Sequence, residues 1–267
     1  MRAFGPVLLS VLALAGCGKQ AQVPQPRRAD APAAPAVPAA PPPAQARKVH
    51  VETPLFEFDF AYPAAAAAIL ALKAALDADL AQARATIESE AKAGEAEARQ
   101  NRFPFVAYSS GTDWQVVAEL PGWLSMSAQV YDYLGGAHPN HGYSALLWDK
   151  SAGRKRAVAE LFTSKAALSR AIRAPFCDAL DRQRAERRGA PVDRAGGDEF
   201  DACIDPAGST VILGSSNHRT FDRIGVLVGP YEAGPYVEGD YEVTLPVTPA
   251  VMAAVRPEYR AAFSVKR

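Results

Sequence analysis

Tyr131-Asp132-Tyr133-Leu134-Gly135-Gly136-Ala137-His138-Pro139-Asn140, followed by His141-Gly142-Tyr143, is the stretch that decides the fold. Gln129–Leu134 reads as one strand and Gly142–Trp148 as another. Between them Gly135-Gly136 supplies positive φ without steric cost, and Pro139-Asn140 is a turn-initiating pair. The stretch is therefore a hairpin with a long tip, and a tip carrying His138, Asn140 and flanking tyrosines is where a scaffold places a binding surface.

Outward from the hairpin, Phe105–Lys150 reads as three or four antiparallel strands. Ser109-Ser110-Gly111-Thr112-Asp113 is expected as a turn between Phe105–Tyr108 and Trp114–Leu120, and Pro121-Gly122 as a second turn. Upstream, Phe56, Phe58 and Phe60 alternate with Glu57 and Asp59, the pattern of a strand with one buried face. Pro63 then opens a helix to about Arg99 with the seam Ile69, Leu72, Leu76, Leu80, Ala83 and Ile87. Beyond Ile87 the seam fades, and this end is expected to project or fray. Downstream, Thr163 or Ser164 caps a helix to about Arg187, which Pro175 is expected to kink or split. Strands at Val211–Leu213, Phe221–Val228 and Tyr241–Val247 and a short helix from Pro249 complete the domain. The expected fold class is α+β: a mostly antiparallel sheet packed by two main helices, one after the first strand and one between two groups of strands.

The first 48 residues read differently. Met1-Arg2 and the apolar Val7–Leu14 form a short export signal, too short for a permanent span. Leu14-Ala15-Gly16-Cys17 resembles the lipobox of bacterial lipoproteins, which implies cleavage after residue 16 and lipidation of Cys17. Gly18, where an Asp would retain the protein at the inner membrane, points to an outer-membrane anchor facing the periplasm, with the lipid as the sole membrane contact. Residues 17–48, rich in Pro and Ala, form a tether that extends in polyproline conformation. The single α+β domain is expected over residues 49–267.

Lys plus Arg and Asp plus Glu both number 29, so no basic excess marks a nucleic-acid footprint. Cys177 and Cys203 remain after Cys17 and are expected to pair as a disulfide in an exported chain, stabilising it by about 3 kcal/mol.

A second dense stretch, Gly229-Pro230-Tyr231-Glu232-Ala233-Gly234-Pro235-Tyr236-Val237-Glu238-Gly239, repeats Pro-Tyr five residues apart. Prolines restrict the loop, and tyrosines give large contact area with a polar tip. The hairpin motif, then Trp148-Asp149, Gly153-Arg154 and Leu161-Phe162, then the Pro-Tyr repeat, resemble one family. It is the extracytoplasmic domain of the lysozyme-sensing anti-sigma-V factor, found also beside the catalytic domain of some peptidoglycan deacetylases. The resemblance covers about Val49 to Val247 and implies an α+β fold with both loops on one sheet scaffold. It implies ligand binding by Tyr133, His138, Asn140, Pro230, Tyr231, Pro235 and Tyr236, with c-type lysozyme or peptidoglycan as the partner.

Two departures bear on function. A lipoprotein signal stands where an anti-sigma factor has its sigma-binding segment, and no room is left for a deacetylase catalytic module. His138 and His141 are three apart, with Asp132 and Asp149 as further metal candidates, but a His in a Pro-Asn turn more often bonds local backbone. The sequence lacks a Gly-x-Ser-x-Gly nucleophile elbow. The expectation is a non-catalytic binding domain with no cofactor and no metal; the alternatives are a peptidoglycan-associated module related to deacetylase-linked domains and, behind it, a hydrolase using His138.

Overall fold

The computed structural model describes residues 43–266; the export signal, Cys17 and most of the tether lie outside them. The first strand, β1 (Arg47–Glu52), begins two residues ahead of Val49 and pairs antiparallel with β2 (Phe56–Tyr62). Phe56, Phe58, Phe60 and Tyr62 all point to one buried face of β2, as the alternation requires.

The helical segment after Pro63 is broken rather than continuous. A single turn, α1 (Ala64–Ala67), stops at Ala68, and α2 (Leu70–Asn101) restarts from Ile69, whose backbone is extended. Leu72, Leu76, Leu80 and Ile87 form its buried stripe. The expected fraying beyond Ile87 does not occur. Ala91 and Ala98 continue the stripe at full burial, and Gly94 leaves room for the Tyr108 phenol, whose hydroxyl oxygen a Cβ there would meet at 2.2 Å and whose ring at 2.7 Å. Small residues, not large apolar ones, bring this last third of the helix close to the body.

From α2 the chain enters β3 (Tyr108–Glu119), which runs parallel to β2. This β2–α2–β3 crossover is the one parallel step in a six-stranded sheet of order β1-β2-β3-β4-β5-β6 among the described residues. The expected turn at Ser109–Asp113 is instead ladder: every residue from Tyr108 to Asp113 pairs with β2, and Ser109 to Asp113 pair with β4 as well. Two flanking strands impose the extended conformation on residues of weak strand preference. The remaining strands are β4 (Trp123–Tyr133), β5 (Asn140–Asp149) and the short β6 (Arg154–Arg156).

Ser164 caps α3 (Lys165–Arg188), its hydroxyl accepting from the Ala167 amide at 3.0 Å. The helix runs through Pro175 without splitting. A second, three-stranded antiparallel sheet follows: β7 (Thr210–Gly214), β8 (Arg223–Val228) and β9 (Tyr241–Pro246). The short α4 (Pro249–Ala254) is capped by Thr248.

Strand alternation divides the interior in two. Leu124, Met126, Leu146 and Trp148 join the β2 aromatics and α2 in one core. Ala118, Leu120 and Leu147, facing the other way, join α3, α4 and the inner face of β7–β9 in the other. The large sheet is thus covered by α2 on one side. On the other side β7 packs against β3, β4 and β5, and among the described residues the surface toward β1 is left open. The disulfide Cys177–Cys203 (Cα–Cα 5.5 Å) fastens the loop after α3 back to that helix.

Candidate functional site

The hairpin tip and the Pro-Tyr loop meet. They leave different sheets, β4–β5 of the large one and β8–β9 of the small one, and not one sheet scaffold as the resemblance implied. The Tyr236 hydroxyl donates to the Pro139 carbonyl at 2.9 Å. The His138 ring stacks on Tyr236, centroids 4.0 Å apart and 25° from coplanar. The Tyr231 hydroxyl lies 3.3 Å from His138 Nε2, and its ring is 5.6 Å from that of Tyr236. His138 Nδ1 approaches its own neighbour's Pro139 carbonyl at 2.9 Å. Three rings from two loops therefore form one cluster.

Local sequence explains the geometry. Tyr231 sits at φ 66°, a conformation non-glycine residues rarely adopt. Glu232 holds that turn, accepting from the Gly229 amide at 2.9 Å and from the Ser209 hydroxyl at 2.6 Å. The result leaves the Tyr231 side chain 55% exposed. Pro235, at φ −63°, leads into a single 3-10 turn (Tyr236–Glu238) that lifts Val237 into solvent at 89% exposure. Leu134 of the tip is also exposed.

Behind the rings lies a polar brace. Asp240 accepts from the Tyr143 hydroxyl at 2.6 Å and contacts His141 Nε2 at 2.8 Å, joining β5 to the end of the Pro-Tyr loop. Burial, and then the Asp240 carboxylate, push the Tyr143 phenol up from its ordinary value. From α3, the fully buried Arg184 donates through Nε to the Ala233 carbonyl at 2.8 Å and through Nη1 to the Ala202 carbonyl at 3.1 Å. Arg188 grips the Glu238 carboxylate through two nitrogens, at 2.7 and 3.0 Å, and also pairs with Asp201. Burial alone would raise the Glu238 carboxyl, but Arg188 and the Tyr241 hydroxyl outweigh it and hold it below its ordinary value. Cys203 directly follows Ala202, so the disulfide anchors the loop after α3 at the carbonyl that Arg184 holds.

Of the residues singled out from sequence, His138, Tyr231 and Tyr236 come together, and Pro230 and Pro235 shape the loop that carries the tyrosines. Asn140 turns instead toward Asp132 (3.5 Å), and Tyr133 lies opposite Ser109 on β3. His141 acts as a strut against Asp240. The one cluster with metal-ligand spacing among the described residues is His50, Glu57 and Asp59, on β1 and β2, away from the hairpin histidines. Asp149, quoted in the Trp148-Asp149 pair, organises the turn after β5 through Ser151, Ala152 and Arg156. Asp240, Glu232, Arg184 and Arg188 were not singled out, because the partners that tie them to other elements lie 23 residues away in sequence for Glu232, 97 and 99 for Asp240, and 13 to 50 for the arginines.

Residues 49–141 match the family model described as Deacetylase PdaC. The match ends at His141, so it contains the hairpin tip and stops short of the Pro-Tyr loop. Two solved structures are similar in part. One is a member of the DUF3298 family from Bacteroides fragilis, with 17% identity, 76% of this chain and 90% of that chain covered, and a TM-score of 0.47. The other is a DUF3298 family protein from Pseudomonas aeruginosa, with 14% identity, 85% and 99% covered, and a TM-score of 0.44. No curated protein matches the chain.

Proposed function

We propose that the protein is a non-catalytic, lipid-tethered domain of the cell envelope that binds a protein or glycan partner through the two-loop cluster, with c-type lysozyme as the specific protein partner to test. The observation that carries this reading is the cluster itself. His138, Tyr231 and Tyr236 are held in a fixed arrangement by bonds from both sheets and from α3, yet Tyr231, Val237 and Leu134 remain exposed beside them. Ordered aromatic side chains on a braced loop lose little entropy on binding, which is what concentrates affinity in a few residues. The lipobox-like Leu14-Ala15-Gly16-Cys17 supports the placement in the envelope. Against a catalytic role stands the use of the histidines: His138 is stacked and bonded to backbone, and His141 is bonded to Asp240.

Calorimetry of the protein with hen lysozyme, alongside muramidase activity, tests the specific form. Binding at micromolar concentrations that Tyr236→Ala weakens at least tenfold supports it, since such anchors contribute about 2 kcal/mol or more. Absence of both heat and inhibition refutes lysozyme as the partner. A second reading, a peptidoglycan-associated module, draws on the stacked ring faces, which suit sugar rings, and on the description of the matching family model as a deacetylase. Co-sedimentation with purified sacculi, lost in Tyr231→Ala, separates it from the first.

A further inference from the structure

A single cross-strand row links the two-loop cluster to the far edge of the large sheet. His50, Asp59, Gly111, Tyr131 and His141 stand directly opposite one another on β1 to β5. Alternation places all five on the side away from α2. Gly111 is required here, because a Cβ would fall 2.1 Å from a Tyr131 ring carbon. The ring therefore lies across β3, and its hydroxyl reaches Asp59 Oδ2 at 3.3 Å while His50 Nδ1 meets Oδ1 at 2.9 Å. At the other end His141 contacts Asp240 and meets the Tyr236 ring edge-on at 5.9 Å. Four strand spacings of about 4.8 Å make the row about 19 Å long. A groove of about 390 Å³ runs along it beside Tyr131.

This strip is acidic. Glu52, Glu57, Asp59 and Asp113 share its face by register, and Asp240 and Glu242 lie at the loop end. Lys48 is the one lysine or arginine on the strip among the described residues. Glu52, Glu57, Asp113 and Glu242 are exposed and have no ion-pair partner among the described residues. In a chain whose acids and bases balance at 29 each, this is a segregation of charge. Two groups in the row respond to it. The His50 imidazole is raised by its bond to Asp59, with Glu57 and Glu52 adding to the effect. The Tyr131 phenol is raised by burial and then by Asp59 and Glu57.

We infer that this acidic open face is an interaction surface for a basic protein, continuous with the two-loop cluster, so that one partner lies across both. The inference rests on the partner-binding reading above and adds where the partner lies and what charge it carries. A stable interface covers about 800 Å² on each side, more than a few loop side chains present, and the row supplies the missing extent. Unpaired surface carboxylates of one sign act mainly by steering an oppositely charged partner and accelerating encounter.

Two probes on the full chain test this. The first is hexalysine, titrated into isotopically labelled protein and followed by amide shifts. The expected perturbations cluster on β1 to β5 around His50, Tyr131 and His141, and the triple variant Glu57→Gln, Asp59→Asn, Asp113→Asn removes them. Perturbations scattered over the molecule, or undiminished in that variant, overturn the inference whether or not lysozyme binds. The second probe is hen lysozyme by stopped flow. The triple variant is expected to lower the association rate constant about tenfold at low salt, with the difference closing at high salt. If Tyr236→Ala abolishes lysozyme binding while the triple variant leaves the rate unchanged at all salt concentrations, the two-loop reading stands and the acidic-face inference falls. An unchanged melting temperature in the triple variant ensures that the readout concerns the surface.

Discussion

Replacing Asp149 by Asn should cost the protein stability at neutral pH and cost it nothing in strong acid. Asp149 is 3% exposed at the end of β5. Burial alone would raise its carboxyl, but the Ser151 hydroxyl (2.7 Å), the Ala152 amide (2.9 Å) and Arg156 Nε (2.7 Å) outweigh that and bring it down to about 2 from an ordinary 3.8. A carboxyl held that far down contributes roughly 2 kcal/mol when ionised. The sign follows from the depression: the contribution is fully present above about pH 4 and is lost as pH falls through about 2. Asn keeps an acceptor for the turn but removes the charge opposite Arg156, which is itself largely buried. Urea unfolding of wild type and Asp149→Asn across pH 2 to 7 is the assay. At pH 7 the gap should be roughly 2 kcal/mol, or about 4–8 °C in melting temperature for a domain of this size. Toward pH 2 the two curves should converge. Parallel curves over the whole range would refute the assignment of that energy to the ionised form.

Other consequences can be measured in the same way. Gly111→Ala should expel the Tyr131 ring from β3 and bring its phenol back toward the ordinary value, read by ultraviolet titration of the tyrosinates; an unmoved titration would show that the ring does not depend on Gly111. Tyr236→Phe should cost about 1 kcal/mol through the lost bond to Pro139 while keeping the stack on His138, and Tyr236→Ala should shift the His138 ring proton resonances by removing that stack. Arg184→Met should destabilise by about 3 kcal/mol in chemical denaturation, because it orphans the buried carbonyl of Ala233 and releases that of Ala202. Reduction of Cys177–Cys203 should lower stability by about 3 kcal/mol and make residues 189–202 the first site of limited proteolysis.

The readable parts of the fold were those set by neighbours in sequence. The phenylalanine alternation of β2, the Ser164 cap, the Pro121-Gly122 turn and the long hairpin all depend on residues a few positions apart, and all are present. Distant partners decide the rest. Ser109–Asp113 has turn composition, but β2 and β4 fix it as ladder, and Gly111 answers to a ring 20 residues away. The end of α2 lacks large apolar residues, and its close approach through Ala91, Gly94 and Ala98 is visible only once Tyr108 is placed against it. The same holds for the site. The rings announce themselves in the Pro-Tyr and His-Pro-Asn motifs, whereas Asp240 and the arginine brace carry no local signature.

The bond between Tyr236 and Pro139 spans 97 residues and joins loops from two sheets. Such a site cannot exist in a partly folded chain: both sheets must form and dock before the three rings meet. Any ligand of the cluster therefore binds the finished fold alone, and by mass action it holds that fold together, adding about 2.7 kcal/mol at a free concentration one hundred times its dissociation constant. A rise in melting temperature across a panel of envelope proteins and glycans would then pick out the partner without any prior assay of activity.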